Sequence, residues 1–392
     1  MSNVPTDPTD DASAAPRTYL DAGSSEPLRP IARETLLAAL DQGWADPLRL
    51  HSEARRARMM YDNAREAVAA ELGCRADEVS FTSSGTAAVH TGLLGLLRRG
   101  RRTLIHSAVE HSSVLHVARQ HLADGGTTGS VGVDRDGRLD LDGLSAELAG
   151  VGDSDGAVVA VQAANLESGA LQPAAVATAC GEANATWFVD AAAIVGRLPM
   201  PDGWSGAAAS AHKWGGPAGV GVLAVRRGVR WRPVGVVDER LDPRSPGYEN
   251  IPAILAAAAA LQDMAADATS RGTRQHALSE RLRAKIAATI ADVELIGPDD
   301  ERLPHVVAAS FLYVDGEVLV TELDRRGFAV ASGSACTASS LEPSHVLAAM
   351  GVLTHGNVRV SFTVDTTERD VDAFVDTLSA VVSQTRARLG TL

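Results

Sequence analysis

From about residue 77, short apolar runs alternate with amphipathic stretches, the rhythm of a parallel α/β fold. Candidate strands fall at 78–81, 103–106, 156–162, 186–190, 207–210 and 220–225, with helices such as 112–123 and 173–184 between them. Gly and Asp cluster at the joints, as in Ala123-Asp-Gly-Gly and Asp134-Arg-Asp-Gly. A Pro-, Asp- and Asn-rich stretch at 240–252 reads as an active-site loop, and the alanine-rich helix after it as a bridge between two domains. Beyond about residue 290 the rhythm changes. A strand at 306–314, a helix at 316–326, a strand at 358–362 and a terminal amphipathic helix at 367–388 predict a smaller α+β domain.

The chain has 392 residues, more than one hydrophobic core usually serves. The expected organisation is a solvated acidic tail at 1–17, a large α/β domain at 18–265 and a small α+β domain at 266–392, with room for the first residues of the large domain to pack on the small one. Hydrophobic residues make up 45% and charged residues 22%, which excludes a wholly disordered chain. No apolar run approaches the roughly 18 residues that span a bilayer, so no membrane is expected. A net charge of -13 argues against nucleic acid, which needs clustered positive charge. Cys74, Cys180 and Cys336 are too few and too scattered for a disulfide framework or a zinc site. The expectation is no metal and a reducing cytoplasm.

Only two of the 36 basic residues are lysine, Lys213 and Lys285. Codon bias can produce such a ratio, but guanidinium does not deprotonate in proteins and cannot act as an amine nucleophile. Lys285 lies on an amphipathic helix and reads as a solvated-face residue. Lys213 lies in Ser210-Ala-His-Lys-Trp-Gly-Gly-Pro-Ala-Gly, between two predicted strands. Its glycine-rich turn leaves room for a flat ligand, though a plain polar loop has the same look.

Three further features bear on this. Asp190 ends a hydrophobic strand, where α/β sheets place ligand-binding residues. Phe81-Thr-Ser-Ser-Gly-Thr opens a helix near Gly85 and Thr86, an arrangement that holds a phosphate or merely caps the helix. Glu110-His111 puts an imidazole at a strand-to-helix junction.

In their chain order these segments resemble the class V aminotransferase family of pyridoxal 5′-phosphate enzymes, from about Tyr19 to the last helix. Ala331-Ser-Gly-Ser-Ala-Cys-Thr-Ala-Ser-Ser-Leu-Glu-Pro-Ser-His is similar to the cysteine loop of group I, NifS/IscS-like cysteine desulfurases. Small, flexible neighbours suit an exposed thiolate at Cys336, whereas Cys180 sits in a periodic apolar segment. The resemblance implies PLP-dependent transferase fold type I, with a large, mainly parallel sheet domain and a smaller α+β domain. It implies that Lys213 bonds the cofactor and moves protons, that Asp190 pairs with the ring nitrogen, and that His111 stacks on the ring. Gly85, Thr86, Ser210 and His212 would hold the phosphate. Asn165 would lie near cofactor and substrate, Arg359 would bind the substrate carboxylate, and Asn250 could reach the phosphate of a neighbouring subunit.

The implied reaction converts L-cysteine to L-alanine, leaves a persulfide on Cys336 and passes sulfur to an acceptor protein, with a homodimer as the working form. A C–S lyase, a selenocysteine lyase and a non-catalytic sulfur-carrier or scaffold subunit are the alternatives. Departures from the family pattern cluster near the ligands. Asn165-Leu-Glu-Ser-Gly carries an extra Leu166, Ala193 stands where a glutamine is usual, and Gly247-Tyr-Glu-Asn replaces Arg-Ser-Gly-Thr.

Overall fold

The computed structural model describes residues 17–98, 103–152, 156–238, 242–333 and 343–389. The chain enters through β1 (Thr18–Tyr19) and two helices, α1 (Pro30–Gln42) and α2 (Ser52–Leu72). The α/β region follows as β2 (Val79–Thr82), α3 (Gly85–Leu97), β3 (Thr103–Ser107), α4 (Ser112–Ala123), β4 (Thr127–Val131), α5 (Leu141–Ala149), β5 (Ala157–Ala160), α6 (Ala175–Glu182), β6 (Thr186–Asp190), β7 (Gly206–Ser210) and β8 (Gly221–Val225). Two helices, α7 (Ile251–Ala266) and α8 (Ala268–Thr289), lead to β9 (Val293–Ile296), β10 (Val306–Phe311), α9 (Gly316–Arg325), β11 (Phe328–Ala329), α10 (His345–Met350), β12 (Asn357–Ser361) and α11 (Glu368–Leu389).

The large sheet has seven strands in the order β2-β8-β7-β6-β5-β3-β4. Only β8 runs against the others, pairing antiparallel with both β2 and β7. The C-terminal ends of β2, β3, β5, β6 and β7 therefore lie along one edge. Helices cover both faces, and the strands alternate accordingly. In β6, Trp187 and Val189 join the core under α5, α6 and α7, while Phe188 joins the core with α3 and α4.

Strand bounds differ from expectation where polar chemistry intervenes. Glu78 belongs to a tight turn, its carboxylate accepting from the backbone N–H of Arg227 at 2.6 Å and of Arg75 at 3.0 Å. The unexpected β4 reads Thr-Thr-Gly-Ser-Val, too polar to announce itself, and it is an edge strand paired only with β3.

The small domain carries an antiparallel sheet, β12-β10-β9, with α8 and α11 packed on it. Its core gathers Leu278, Leu282 and Ile286 of α8 with Phe374, Val375 and Leu378 of α11. The bridge between domains is a bent pair. Helix α7 is buried against α1 and α2, then turns by 68° into α8. Leu20 belongs to the small domain's core, because β1 pairs in parallel with β11. No single helix among the described residues is long and apolar enough to cross a membrane.

Two glycines set how closely α3 approaches the sheet. A Cβ on Gly92 would stand 2.3 Å from the Phe188 ring, and one on Gly206 would meet the same ring at 2.9 Å. Glycine costs a helix interior about 1 kcal/mol relative to alanine, so its use here reflects packing. Gly92→Ala should gain that propensity yet lose about 1–3 kcal/mol to overpacking, for a net destabilisation in urea unfolding.

Candidate active site

Most of the predicted site residues follow the strand ends of one sheet edge, where open α/β sheets bind ligands. Ser210 ends β7, and a single tight turn, Ala211–Lys213, follows it. Trp214 locks that turn: its indole is fully buried and donates to the Ala257 carbonyl at 3.0 Å. The Lys213 amine donates to the carbonyls of Gly23 (2.7 Å) and Ser24 (3.0 Å). Those residues come from the N-terminal segment, which also donates from the Glu26 N–H to the His212 carbonyl at 2.9 Å.

Next to this turn lies the start of α3. Ser84 caps it by accepting from the Ala87 N–H at 3.0 Å. Gly85 must be glycine, since a Cβ there would fall 2.8 Å from the Ser210 Cβ. The N-terminus of α3, which begins Gly85-Thr86, is thus brought against Ser210 and His212, an arrangement that suits an anion. Ser210 Oγ and His212 Nδ1 are 2.9 Å apart. Burial, reinforced by the charge of Lys213, pushes the His212 imidazole down to about 4, so it is neutral at ordinary pH.

Asp190 projects from the end of β6, and its Oδ1 accepts the Ala192 N–H at 3.0 Å. Desolvation raises its carboxyl, with His111 and Lys213 opposing. His111 caps α4: its Nδ1 accepts the Ser113 N–H at 3.2 Å and lies 2.8 Å from the Ser113 hydroxyl. The ring is accessible to solvent, yet desolvation still depresses its charged form, opposed by Asp190.

Arg359, on β12, is buried rather than a surface charge. One amine of its guanidinium donates to Asp21 Oδ1 (2.8 Å) and Ser24 Oγ (2.6 Å), while its Nε has no acceptor. Ser24 therefore touches Lys213 through its carbonyl and Arg359 through its hydroxyl.

Asn165 and Asn250 have partners of their own within the chain. Asn165 is buried as a staple of its own turn, accepting from the N–H groups of Glu167 (2.8 Å) and Ser168 (2.9 Å) and donating to the Val109 carbonyl at 3.0 Å. One amide hydrogen is left for a ligand. Asn250 is exposed at the start of α7, where it caps Ala253 at 3.2 Å. Cys336 lies outside the described residues.

Sequence reasoning missed Glu110 and the Glu26–Arg197 pair. Glu110 is buried, accepts the Gln162 N–H at 2.8 Å through Oε1 and leaves Oε2 without a partner. Burial raises its carboxyl well above the usual range. An acid directly before His111 was the available signal. The ion pair, at 2.7 Å, had none, because its partners are 171 positions apart.

The donor set fits pyridoxal phosphate: a lysine, a desolvated aspartate, an accessible imidazole and a glycine-lined anion cradle. Among the described residues, no group of three or more His, Cys, Asp or Glu could hold a metal ion.

Comparison with known proteins points to the same cofactor class. The family described as Aminotransferase class-V matches residues 19–374. This chain belongs to that family. It is 34% identical over 380 residues to a cysteine desulfurase of Nostoc sp., covering 94% of each chain. It is also 34% identical over 378 residues to cysteine desulfurase NifS of Azotobacter vinelandii, covering 94% of this chain and 93% of that one. A solved NifS-like protein superposes with a TM-score of 0.84 at 27% identity, over 94% of this chain and 100% of the other. The chain is a NifS/IscS-like member with PLP fold type I, and the cofactor of the family is pyridoxal 5′-phosphate.

Neutral histidines predict an acid limit. His305 is buried, its Nδ1 lacks a partner, and burial holds its imidazole well below the ordinary value. An unfolded histidine takes a proton near pH 6.5. Folded His212 does so only near 4, so the unfolded state binds more protons between those values. Their stabilisation is complete above about pH 6.5 and lost as pH falls. Thermal unfolding of the cofactor-free protein from pH 7 to 4.5 should show a falling Tm, with a shallower slope in His305→Gln.

Proposed function

We propose that this chain takes sulfur from L-cysteine onto Cys336 and hands it to an acceptor protein, releasing L-alanine. The observation that carries the reading is Ser24, held by Lys213 on one side and Arg359 on the other. An amine and a guanidinium in that relation suit the two ends of an α-amino acid, and the buried Arg359 Nε awaits an acceptor such as a carboxylate.

When bound, the cofactor withdraws electrons from the substrate Cα. Lys213 would hold it and then move the Cα proton. Asp190 would keep the ring nitrogen protonated, and His111 would cover the ring. Gly85, Thr86, Ser210 and His212 would hold the phosphate. Arg359 would fix the carboxylate, while Asn165 keeps the turn after β5 in place and offers its remaining N–H. The Cys336 thiolate attacks the substrate sulfur, the substrate C–S bond breaks, and its electrons and a proton remain with the alanine carbon. Cys74 and Cys180 do not suit that role, since burial pushes their thiols up to about 11 and about 12.

A homodimer and a cytoplasmic setting complete the proposal. Trp44, Leu48 and Leu50 are exposed within a short stretch of chain, and Tyr248 is exposed as well. The Tyr248 hydroxyl donates to the Trp44 carbonyl at 3.0 Å. A patch of this kind supports burial against a second copy. Asn250 lies two residues from Tyr248, in keeping with a contribution to the neighbouring site. The free thiols Cys74 and Cys180 accord with a reducing compartment.

Product analysis tests the reaction. Wild type with L-cysteine and a reductant should give alanine and sulfide, and Cys336→Ala should lose both. Pyruvate and ammonia, unaffected by that substitution, would make the protein a lyase.

A further inference from the structure

Gly333 and Ser344, which bracket the segment carrying Cys336, meet each other. A Cβ built on Gly333 would lie 3.4 Å from the Ser344 Cβ and only 2.9 Å from Glu167 Oε2. The same Glu167 oxygen accepts a hydrogen bond from the Ser344 hydroxyl at 2.6 Å. The Gly333 N–H donates to Asn357 Oδ1 at 2.9 Å, on the strand that carries Arg359 two residues later. On the other side, His345 Nε2 lies 2.9 Å from the Glu110 carbonyl, next to His111. Glu167 itself belongs to the turn stapled by Asn165.

We propose that Glu167 is a positioning residue for sulfur transfer: its Oε2 anchors Ser344 to the 165–169 turn, beside Gly333, so that the two described residues that flank the Cys336 segment are held at the active-site rim. The inference rests on Cys336 being the nucleophile. Its physical basis is effective concentration. A tethered nucleophile reacts at a rate set by how narrowly its tether restricts it, and a misplacement of about 1 Å can cost up to about a hundredfold. The Glu167 carboxylate bonds to Ser344, while only its backbone N–H meets Asn165 and Arg359 acts on it through charge alone. Its loss should therefore slow the sulfur-transfer step and leave earlier steps intact. The need for glycine at 333 follows from the same contact, since any side chain there meets the carboxylate.

The test uses the holoenzyme as wild type, Glu167→Ala, Glu167→Gln, Ser344→Ala, Ser344→Thr and the Glu167→Ala/Ser344→Ala double variant. Each is assayed for alanine formation from L-cysteine, and the visible spectrum of the bound cofactor is recorded before and after substrate addition. Glu167→Ala and Ser344→Ala should each lower kcat about tenfold, with KM not raised beyond about twofold and the spectrum before substrate addition unaltered. The double variant should be no worse than the poorer single one. Glu167→Gln and Ser344→Thr, which keep the hydrogen bond, should retain most of the activity. Should Glu167→Ala not fold, the contrast between Ser344→Ala and Ser344→Thr decides alone. Independent, multiplying losses, a raised KM with kcat intact, or equal damage from Glu167→Gln and Glu167→Ala would overturn the assignment. Wild type that forms no alanine would instead overturn the desulfurase reading beneath it.

Discussion

The Glu26–Arg197 ion pair, 2.7 Å long and almost wholly withdrawn from solvent, holds the N-terminal segment where the site needs it. Through its other groups the same pair reaches the lysine turn. The Glu26 N–H donates to the His212 carbonyl at 2.9 Å, and the Arg197 guanidinium to the Lys213 carbonyl at 3.3 Å. Ahead of Glu26, the segment pairs with the small domain. Leu20 donates to the Ala329 carbonyl and accepts from the Ser361 N–H, and Asp21 meets Arg359. One extended strip of chain therefore touches the amine of one domain and the guanidinium of the other. Neither Lys213 nor Arg359 would be placed relative to its counterpart by the large sheet alone.

Such a pair is weak evidence for stability, because desolvating two charges costs several kcal/mol that their attraction only partly returns. Its value lies in position. Removing one partner leaves a buried charge, typically a loss of about 3–5 kcal/mol. Arg197 Nη1 already lacks a partner, which raises the cost of the arrangement. A site that must hold a dianionic phosphate, a ring and a carboxylate needs fixed donors, and fixed donors need a brace of this kind.

Local patterns made most of this legible. The β6 bounds and those of α4 match the expected ranges, since a hydrophobic run ending in Asp and a histidine-capped amphipathic stretch are signals within a few residues. Lys213 stood out by lysine scarcity, and Gly85 by its place before a helix. What stayed hidden depends on distance along the chain. Nothing near residue 26 points to residue 197, and nothing near residue 167 points to residue 344. The polar β4 was hidden for another reason, because an edge strand needs little apolar surface. The packing of Asn165 shows what the motif alone did not, that it also staples its own turn.

The three cysteines divide along the same line. Cys74 and Cys180 are held as thiols by burial, and the proposal assigns the sulfur to Cys336 in its run of small residues. The most direct measurement is a single turnover of the holoenzyme with L-cysteine in the absence of reductant, followed by peptide mass analysis. The account predicts a gain of one sulfur atom on the peptide that contains Cys336, with alanine formed in equal amount. Alanine or pyruvate released with no sulfur retained on that peptide would contradict it.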